Sequence, residues 1–367
     1  MAILMIATVF SGFAVAEEPL DIAVVAISAT ESNNARYITG LQDAAAERGW
    51  TVTVLDANGS NDNANSAFTN FIARGADYII DMVFPATSLA TGLNAAMQSN
   101  IPVLTWGGGL ADGVWFTNGS GGPTATDVIK KMCEDMNGEG ELLALTYHGG
   151  QVARDREAVL DEILADYPNI KVTKGEVDIP GYLQDGMEYT NAWLASRPAG
   201  EGNYAIWGSW DDPALGAISA LKQMGRDDVL VYGQNGNADA LLSIQEGWMT
   251  ATSWQDGYGE GVAAIEAIEK MEAEGDSFEK GAYEYPASQF RRRICMWVNG
   301  ETAVACLACN RDYDSEWFLH RFNQWTDCDK TECAFHDCND RHGQLGLWVE
   351  LCLYQWFTRA HRHSKGV

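Results

Sequence analysis

Aromatic, amide and arginine side chains follow the ends of several predicted strands in this chain of 367 residues. Amides and carboxylates hydrogen-bond hydroxyl groups in pairs, and an indole ring covers an apolar C–H face. The combination therefore predicts a site for a hydroxylated small molecule. The segments that carry these side chains are residues 28–37, 106–109, 148–156, 209–212, 234–237 and 254–256.

The elements that must position these segments alternate along the chain from residue 21 onward. Runs that are apolar throughout are typical of parallel strands covered by helices on both faces, so the pattern predicts an α/β fold. Ligands of such sheets bind beyond the carboxyl ends of the strands. The predicted strands are 22–27, 52–55, 78–83, 101–106, 142–147, 170–172, 204–207, 229–232 and 249–254. The predicted helices are 36–48, 65–74, 87–98, 126–136, 152–165, 183–195, 213–224, 238–245 and 260–272.

Two residues at strand–helix boundaries, Arg156 and Gln255, are candidates for ligand contact. Arg154 and Arg156 both begin a helix after a Gly149-Gly150 turn. Charges at a helix start are often solvated, so we expect one of the pair, Arg156, to point into the cleft. Gln255 lies at the boundary after the last predicted strand and is the second candidate.

A pair of aspartates and a run of glycines raise the question of catalysis or nucleotide binding. In Trp210-Asp211-Asp212, which precedes Pro213, Asp212 is expected to cap a helix. Paired carboxylates can serve acid–base chemistry, but no histidine or nucleophile stands beside them, so the sequence favours binding over catalysis. The run 106–109, Trp-Gly-Gly-Gly, has neither the P-loop lysine nor the GxGxxG spacing. We therefore expect no nucleotide and no other cofactor.

Charge and the first residues indicate the compartment. The chain has 51 acidic and 24 basic residues, a net charge of −27, which disfavours nucleic acid and anionic membranes as partners. Residues 2–16 are uncharged and end in Ala14-Val15-Ala16, which predicts a secretory signal over residues 1–16. A buried N-terminal strand or helix is the alternative. Up to residue 290 there is one cysteine, Cys133, as in a periplasmic protein that does not rely on disulfides.

The composition changes abruptly near residue 290. Seven of the eight cysteines and five of the six histidines lie in residues 291–367, without a strand–helix rhythm. We interpret residues 289–367 as an atypical tail, out of frame with the natural terminus or disordered, with no role in the site. A zinc or disulfide module is the alternative, since Cys306-x-x-Cys309 is followed by further cysteines and histidines. We assign no metal site.

Several short motifs resemble those of the type 1 periplasmic sugar-binding proteins, the ribose-binding family. The resemblance extends from Asp21 to Pro286 in order and at the expected spacings. It is carried by residues 21–28, 33–34 with Tyr37, 40–44, 101–105, 153–156, 211–217, 229–233 and 250–255.

The resemblance implies two Rossmann-like lobes with parallel sheets, joined by hinge strands. The N-terminal lobe would comprise residues 20–121 and 256–282, and the C-terminal lobe residues 122–255 and 283–288. The lobes would close over a sugar or polyol and present it to an inner-membrane ABC permease, without catalysis. The protein would be periplasmic and monomeric. The positions that match the family's cleft contacts are Asn34, Tyr37, Trp106, Gly107, Arg156, Trp210, Asp211, Asn235 and Gln255.

Three departures from the family pattern bear on the ligand. Gly107-Gly108 stands where the family often has Asp-Arg, Trp210-Asp211 where it has Asn-Asp, and Asn235 where it has Asp. The pocket thus loses charge and gains an indole. A deoxy sugar, a polyol or a furanose-like molecule becomes as good a candidate as ribose.

Other classes of protein share this fold or these residues. A repressor with the same ligand-binding fold would need a basic helix-turn-helix before it, where this chain has an apolar leader. A sensor coupled to a chemoreceptor would differ in its partner alone. A sugar-modifying enzyme would use Asp211 and Asp212.

Overall fold

The computed structural model describes residues 19–283 and the backbone of 294–296, and in these residues two sheets form. The first contains β1 (Asp21–Ala26), β2 (Thr51–Asp56), β3 (Tyr78–Met82), β4 (Val103–Trp106), β5 (Val114–Asn118) and, later in the chain, β11 (Gly281–Ala282). The second contains β6 (Glu139–Thr146), β7 (Asn169–Glu176), β8 (Tyr204–Gly208), β9 (Val229–Asn235), β10 (Ala251–Trp254) and β12 (Ile294–Met296).

Both sheets have the doubly wound order of an α/β fold. The strand orders are β11-β5-β4-β3-β1-β2 and β12-β10-β9-β8-β6-β7. Every neighbouring pair is parallel except β10 and β12, which are antiparallel. The predicted α/β class with parallel sheets is therefore confirmed. We call the part built on the first sheet the N-terminal lobe and the part built on the second the C-terminal lobe.

Helices connect the strands within each lobe. None of those that the structure describes has both the length and the apolar character needed to cross a bilayer. The N-terminal lobe contains α1 (Ser32–Glu47), α2 (Asn61–Ala73), α3 (Ala90–Gln98) and, after the second lobe, α9 (Gly257–Glu274). The C-terminal lobe contains α4 (Gly122–Asp135), α5 (Gln151–Leu164), α6 (Tyr182–Leu194), α7 (Asp211–Met224) and α8 (Ala238–Gln245).

The continuous apolar runs arise because each central strand is covered on both faces. On β1, Ile22 and Val24 pack in one hydrophobic cluster with residues of α1 and α9. Ala23 and Val25 point to the other face and pack with residues of α2 and α3. The side chains of a strand alternate between faces, so a strand buried on both sides is apolar at every position.

Local chemistry shifts some elements from their predicted positions. Helix α1 begins at Ser32 and not at residue 36, because the Glu31 carboxylate accepts a hydrogen bond from the Asn34 amide at 2.9 Å and caps it. Strand β5 was not predicted, since its five residues follow a glycine-rich loop and contain a short apolar run.

Several expectations fall outside the described residues, and the lobe boundaries stay a prediction. The signal segment 1–16, the stretch 284–288 and the tail apart from residues 294–296 are not described. The backbone of β12 lies within the range assigned to the tail, where it pairs with β10. The described chain crosses from the N-terminal lobe to the C-terminal lobe after β5 and returns after β10. Later in the chain, β11 pairs in the first sheet and β12 pairs in the second.

Helices α1 and α9 approach each other closely because glycine lies at their contact. A Cβ atom at Gly40 would lie 2.1 Å from the Tyr258 carbonyl oxygen, and one at Gly261 would lie 2.3 Å from the Tyr37 carbonyl oxygen. Real Cβ atoms do not come so near backbone oxygens. The two glycines therefore set the distance between the helices that carry Tyr37 and Glu260.

We expect Gly40→Ala to destabilise the protein by about 1–3 kcal/mol, because the added methyl group overpacks the contact between the helices. In an isolated helix the same change would stabilise by about 1 kcal/mol, since alanine has a higher helix propensity than glycine. The measurement is urea unfolding of the full chain. Gly122→Ala in α4 is the control, because its Cβ would meet Val159 at an ordinary 3.4 Å. Equal stability of the two variants would contradict the proposed role of Gly40.

Candidate functional site

A cleft of about 470 Å³ lies between the lobes at the carboxyl ends of the strands, and part of it is open to solvent. The walls combine amides, one guanidinium and aromatic rings with aliphatic side chains. Six of the nine site residues predicted from the sequence line it: Asn34, Trp106, Arg156, Trp210, Asn235 and Gln255. The other three, Tyr37, Gly107 and Asp211, lie behind its walls.

The Arg156 guanidinium, 2% exposed, organises the polar side of the cleft. Its Nη1 donates to the Ser209 carbonyl oxygen at 2.6 Å, and its Nη2 donates at 2.7 Å to both Asn235 Oδ1 and Gln255 Oε1. Its Nε has no hydrogen-bond partner among the described residues. Burial lowers the pKa of Arg156 to about 10, so the group stays charged at neutral pH.

The neighbouring Arg154 points elsewhere. Its Nε donates to the His148 carbonyl oxygen at 2.5 Å on the exposed side of α5. Residues two apart on a helix project in different directions, so the two arginines have different surroundings. The structure thus places Arg156 in the cleft and Arg154 outside it.

Trp106 forms an aromatic wall on the N-terminal side. Its ring stacks on Tyr37 with centroids 4.4 Å apart and an angle of 20° between planes. Its Nε1 donates to Glu260 Oε2 at 2.7 Å, and the same oxygen accepts from Gln255 Nε2 at 3.0 Å. Burial raises the pKa of Glu260 to about 7, despite these two donors. Tyr37 is fully buried behind Trp106 and supports the indole from the rear.

Trp210 forms a second aromatic wall, on the C-terminal side. Tyr147 and Tyr182 meet its ring edge-to-face at centroid distances of 6.0 and 5.6 Å. The indole N–H has no protein partner in the part of the chain that the structure describes. The ring is therefore fixed by packing while its donor remains free.

Asp211 and Asp212 do not have the positions that the sequence suggested. Asp211 is fully buried and accepts from the Thr252 hydroxyl at 2.6 Å and the Asn237 amide at 2.7 Å, so it supports the loop after β9. Burial raises the pKa of Asp211 to about 7. The prediction that Asp212 caps α7 is wrong: the N-cap residue is Trp210, and its side chain makes no capping hydrogen bond.

Gly107 marks a close approach of the lobes. A Cβ at Gly107 would lie 2.2 Å from Val152 Cγ2 on α5, and the backbone has φ +69°. Both facts favour glycine here. Gly107 therefore permits the lobes to meet and does not itself line the cleft.

The amides of Asn34 and Asn235 are held by neighbouring groups. Asn34 Nδ2 donates to the Ser28 carbonyl oxygen at 2.7 Å. Asn235 Oδ1 accepts from Arg156, and its Nδ2 contacts Glu31 Oε1 at 3.3 Å. The backbone of Asn235 has φ +105°, which is uncommon for a residue other than glycine. These contacts fix both amides at the cleft.

Several groups that contribute to the site are not among the residues predicted from the sequence. Glu31 and Tyr147 line the cleft, and Glu260 joins Trp106 to Gln255. Glu31 lies in the segment 28–37, which the sequence predicts to follow the end of a strand. Glu260 lies in the first turn of α9, where a lone glutamate carries no recognisable signal. The aliphatic side chains that line the cleft are Ile27, Val83, Val152, Ala153 and Ile179.

Sequence comparison identifies the family. A profile described as "Periplasmic binding protein domain" matches residues 22–276. The chain belongs to this family. The resemblance seen in the sequence motifs is thereby confirmed, and the two parallel sheets agree with the type 1 periplasmic binding protein fold.

This periplasmic binding protein is similar to several curated relatives and solved structures. It is 27% identical to the ribose import binding protein RbsB of Bacillus subtilis, over 67% of this chain and 81% of the relative. It is 30% identical to a xylitol-binding protein of Mycolicibacterium smegmatis, over 59% of this chain and 63% of that one. An ABC transporter solute-binding protein of Agrobacterium vitis with bound allitol shares the fold, with a TM-score of 0.68, 21% identity and coverage of 77% and 96%.

Arg156→Met should destabilise this periplasmic binding protein by at least about 2 kcal/mol, because buried acceptors on Ser209, Asn235 and Gln255 lose their donors. Arg154→Met is the matched control and should stay within about 0.5 kcal/mol. Thermal and urea unfolding measure both. Equal losses in the two variants would mean that the buried network does not hold the strand ends together.

Proposed function

We propose that this protein binds a neutral sugar or polyol between its lobes in the periplasm and delivers it to an inner-membrane ABC importer. The observation that carries the proposal is the Arg156 network facing two indole walls across one cleft. Amides offer paired donors and acceptors to hydroxyl groups, and Trp106 and Trp210 offer flat apolar faces to C–H groups. That combination suits a ring or chain with hydroxyls on its edges.

The fixed charges of the cleft favour a neutral ligand. The guanidinium of Arg156 already donates to three protein oxygens, so that of its five N–H groups the Nε–H and the second Nη1–H remain among the described residues. The Glu31 carboxylate is likewise occupied by the amides of Asn34, Asn235 and Asn237. A charged ligand would need an exposed counter-ion, whereas hydroxyls need individual donors and acceptors.

The ligand contacts that we propose follow the cleft lining. Asn34, Arg156, Asn235 and Gln255 would bond hydroxyl groups, and the two indoles would cover C–H faces. Tyr37 would act through Trp106, which it supports from behind. Gly107 would act by letting the lobes meet, and Asp211 would act by supporting the loop after β9. We propose that the bound molecule leaves unchanged and that no catalysis occurs.

The family and the named ligands of relatives support a carbohydrate. One relative is named for ribose import and another for xylitol binding, and a solved structure of the same fold holds allitol. Membership of the periplasmic binding protein family supports the proposed transfer of the ligand to a permease and the proposed periplasmic location.

A thermal-shift panel tests the proposed ligand class. We expect D-ribose, xylitol or allitol to raise the melting temperature of the full chain, since a ligand at 100 times its Kd adds about 2.7 kcal/mol to the free energy of unfolding. Glycine and adenosine are the comparison ligands. A shift with either of these and with no carbohydrate would refute the proposed class.

Trp210→Ala should weaken binding of the best carbohydrate by about tenfold or more, because the apolar C–H face loses its wall. Trp248→Ala is the control, since this half-buried tryptophan packs on the C-terminal core outside the cleft lining. Isothermal titration calorimetry gives both affinities. Weakening of the same size in both variants would contradict the assignment of Trp210 to the site.

A further inference from the structure

Polar and apolar side chains are distributed unevenly around the cleft. In the C-terminal lobe the strand ends follow the order β10, β9, β8, β6 and β7 across the sheet. Gln255 follows β10 and Asn235 ends β9, whereas Tyr147 follows β6 and Ile179 comes after β7. Because the sheet order fixes the lateral position of each strand end, amides line one side of the cleft and apolar side chains line the other.

The side of the cleft at β9 and β10 also holds the charged groups. The Arg156 guanidinium donates to the side-chain oxygens of Asn235 and Gln255, and Glu31 Oε1 lies 3.3 Å from Asn235 Nδ2. Arg156 and Glu31 are the two charged side chains among the described residues that line the cleft. Hydroxyl groups of a ligand would therefore find their donors and acceptors on this side.

A hydrophobic cluster that includes residues of both lobes lines the other side of the cleft. We call its members and packed neighbours at the cleft the apolar side: Ile27, Val83, Tyr147, Ala153, Ile179 and Trp210. Tyr147 meets the Trp210 ring edge-to-face, so the apolar surface is continuous from β6 to β8. Tyr147 and Trp210 each carry one polar atom, and the Trp210 N–H is buried. The other four side chains are aliphatic.

The backbone of the apolar side is already hydrogen-bonded within the protein. The Val83 amide donates to the Trp106 carbonyl oxygen at 2.8 Å, and the Val83 carbonyl accepts from the Gln151 amide at 2.9 Å. The amide and the carbonyl of Ile27 are both hydrogen-bonded within the N-terminal lobe. A ligand hydroxyl that faces either residue would meet no free backbone N–H, and burial of a hydroxyl without a partner is unfavourable.

We propose that the ligand is a terminally deoxygenated sugar, with a methyl group in place of the terminal hydroxymethyl group. The methyl group packs against the apolar side, while the hydroxyl groups face Arg156, Asn235 and Gln255. This proposal rests on the proposed function, because it specifies which carbohydrate the cleft accepts. It assigns the choice of ligand to aliphatic side chains, in addition to the amides that bind hydroxyl groups.

The aliphatic side chains have a different task from the two indole rings. An indole covers a flat C–H face, so the aliphatic side chains are left to meet an edge of the ligand. A hydroxymethyl group at that edge would have its hydroxyl buried against Ile27, Val83 or Ile179 without a partner. A methyl group there buries apolar surface, which stabilises the complex. Xylitol and allitol carry a hydroxyl on both terminal carbons and would therefore bind with lower affinity.

Calorimetry of the full chain with matched pairs of sugars tests the proposal. The members of each pair differ by one terminal hydroxyl: L-fucose and L-galactose, D-fucose and D-galactose, L-rhamnose and L-mannose, and 5-deoxy-D-ribose and D-ribose. The pair with the best stereochemistry should bind tightly enough to measure. In that pair we expect the deoxy sugar to bind about tenfold to a hundredfold more tightly than its partner, as for one unpartnered hydroxyl in an apolar pocket.

The outcomes of this panel separate the deoxy preference from the proposed function. Equal or tighter binding of the hydroxylated member in every pair that binds would overturn the deoxy preference and leave a carbohydrate-binding protein. Binding of xylitol or allitol without binding of any deoxy sugar would do the same. Failure of every carbohydrate to bind would refute the proposed ligand class, and the deoxy preference with it.

Variants that add one hydroxyl to the lining test where the methyl group binds. In Ile179→Thr or in Val152→Thr the ratio of the two Kd values should fall by about threefold or more, because the ligand hydroxyl gains a partner. Val159→Thr is the matched control, since this partly buried valine lies on α5 outside the cleft lining and packs toward Gly122. An unchanged ratio in both cleft variants, or an equal fall in Val159→Thr, would overturn the contact between the methyl group and the apolar side.

Discussion

A single buried guanidinium fixes the geometry of the C-terminal half of the site. Arg156 reaches from α5 to the ends of β8 and β9 and to the residue after β10, through Ser209, Asn235 and Gln255. Ser209 and Gln255 each lie just beyond the end of a strand, and Asn235 is the last residue of β9. Because one side chain bonds all three, the amides are already oriented before a ligand arrives, which reduces the entropy cost of binding.

The N-terminal half of the site is organised by packing. Tyr37 and Trp106 stack, and Glu260 fixes the indole N–H and the Gln255 amide with one oxygen. The spacing of α1 and α9 holds this arrangement, because Gly40 and Gly261 let the helices approach. A change of helix spacing would therefore reach the cleft through the tryptophan.

The sequence predicts the layers and the strand-end segments well, because the apolar runs reflect burial on two faces. It does not predict which side chain of a segment enters the cleft. Trp210 lines the cleft and the next residue, Asp211, points into the protein, since consecutive residues at a helix start diverge. Glu260 has no sequence signal, because its role depends on its partners in the fold. Trp106 lies 154 residues away along the chain, and Gln255 lies 5 residues away, beyond the start of α9.

The many acids near the cleft also bear on the neutral ligand that we propose. Glu31, Asp211 and Glu260 each accept hydrogen bonds from protein donors, so their lone pairs are directed into the fold. Burial raises the pKa of Asp211 and of Glu260 to about 7, which reduces the negative charge that remains near neutral pH. A chain with a net charge of −27 thus presents a site of low charge, because its cleft carboxyls are engaged by the protein itself. The cleft then offers amides, the remaining N–H groups of Arg156 and two indole faces, which are the groups that we propose bind the hydroxyl and C–H groups of a ligand.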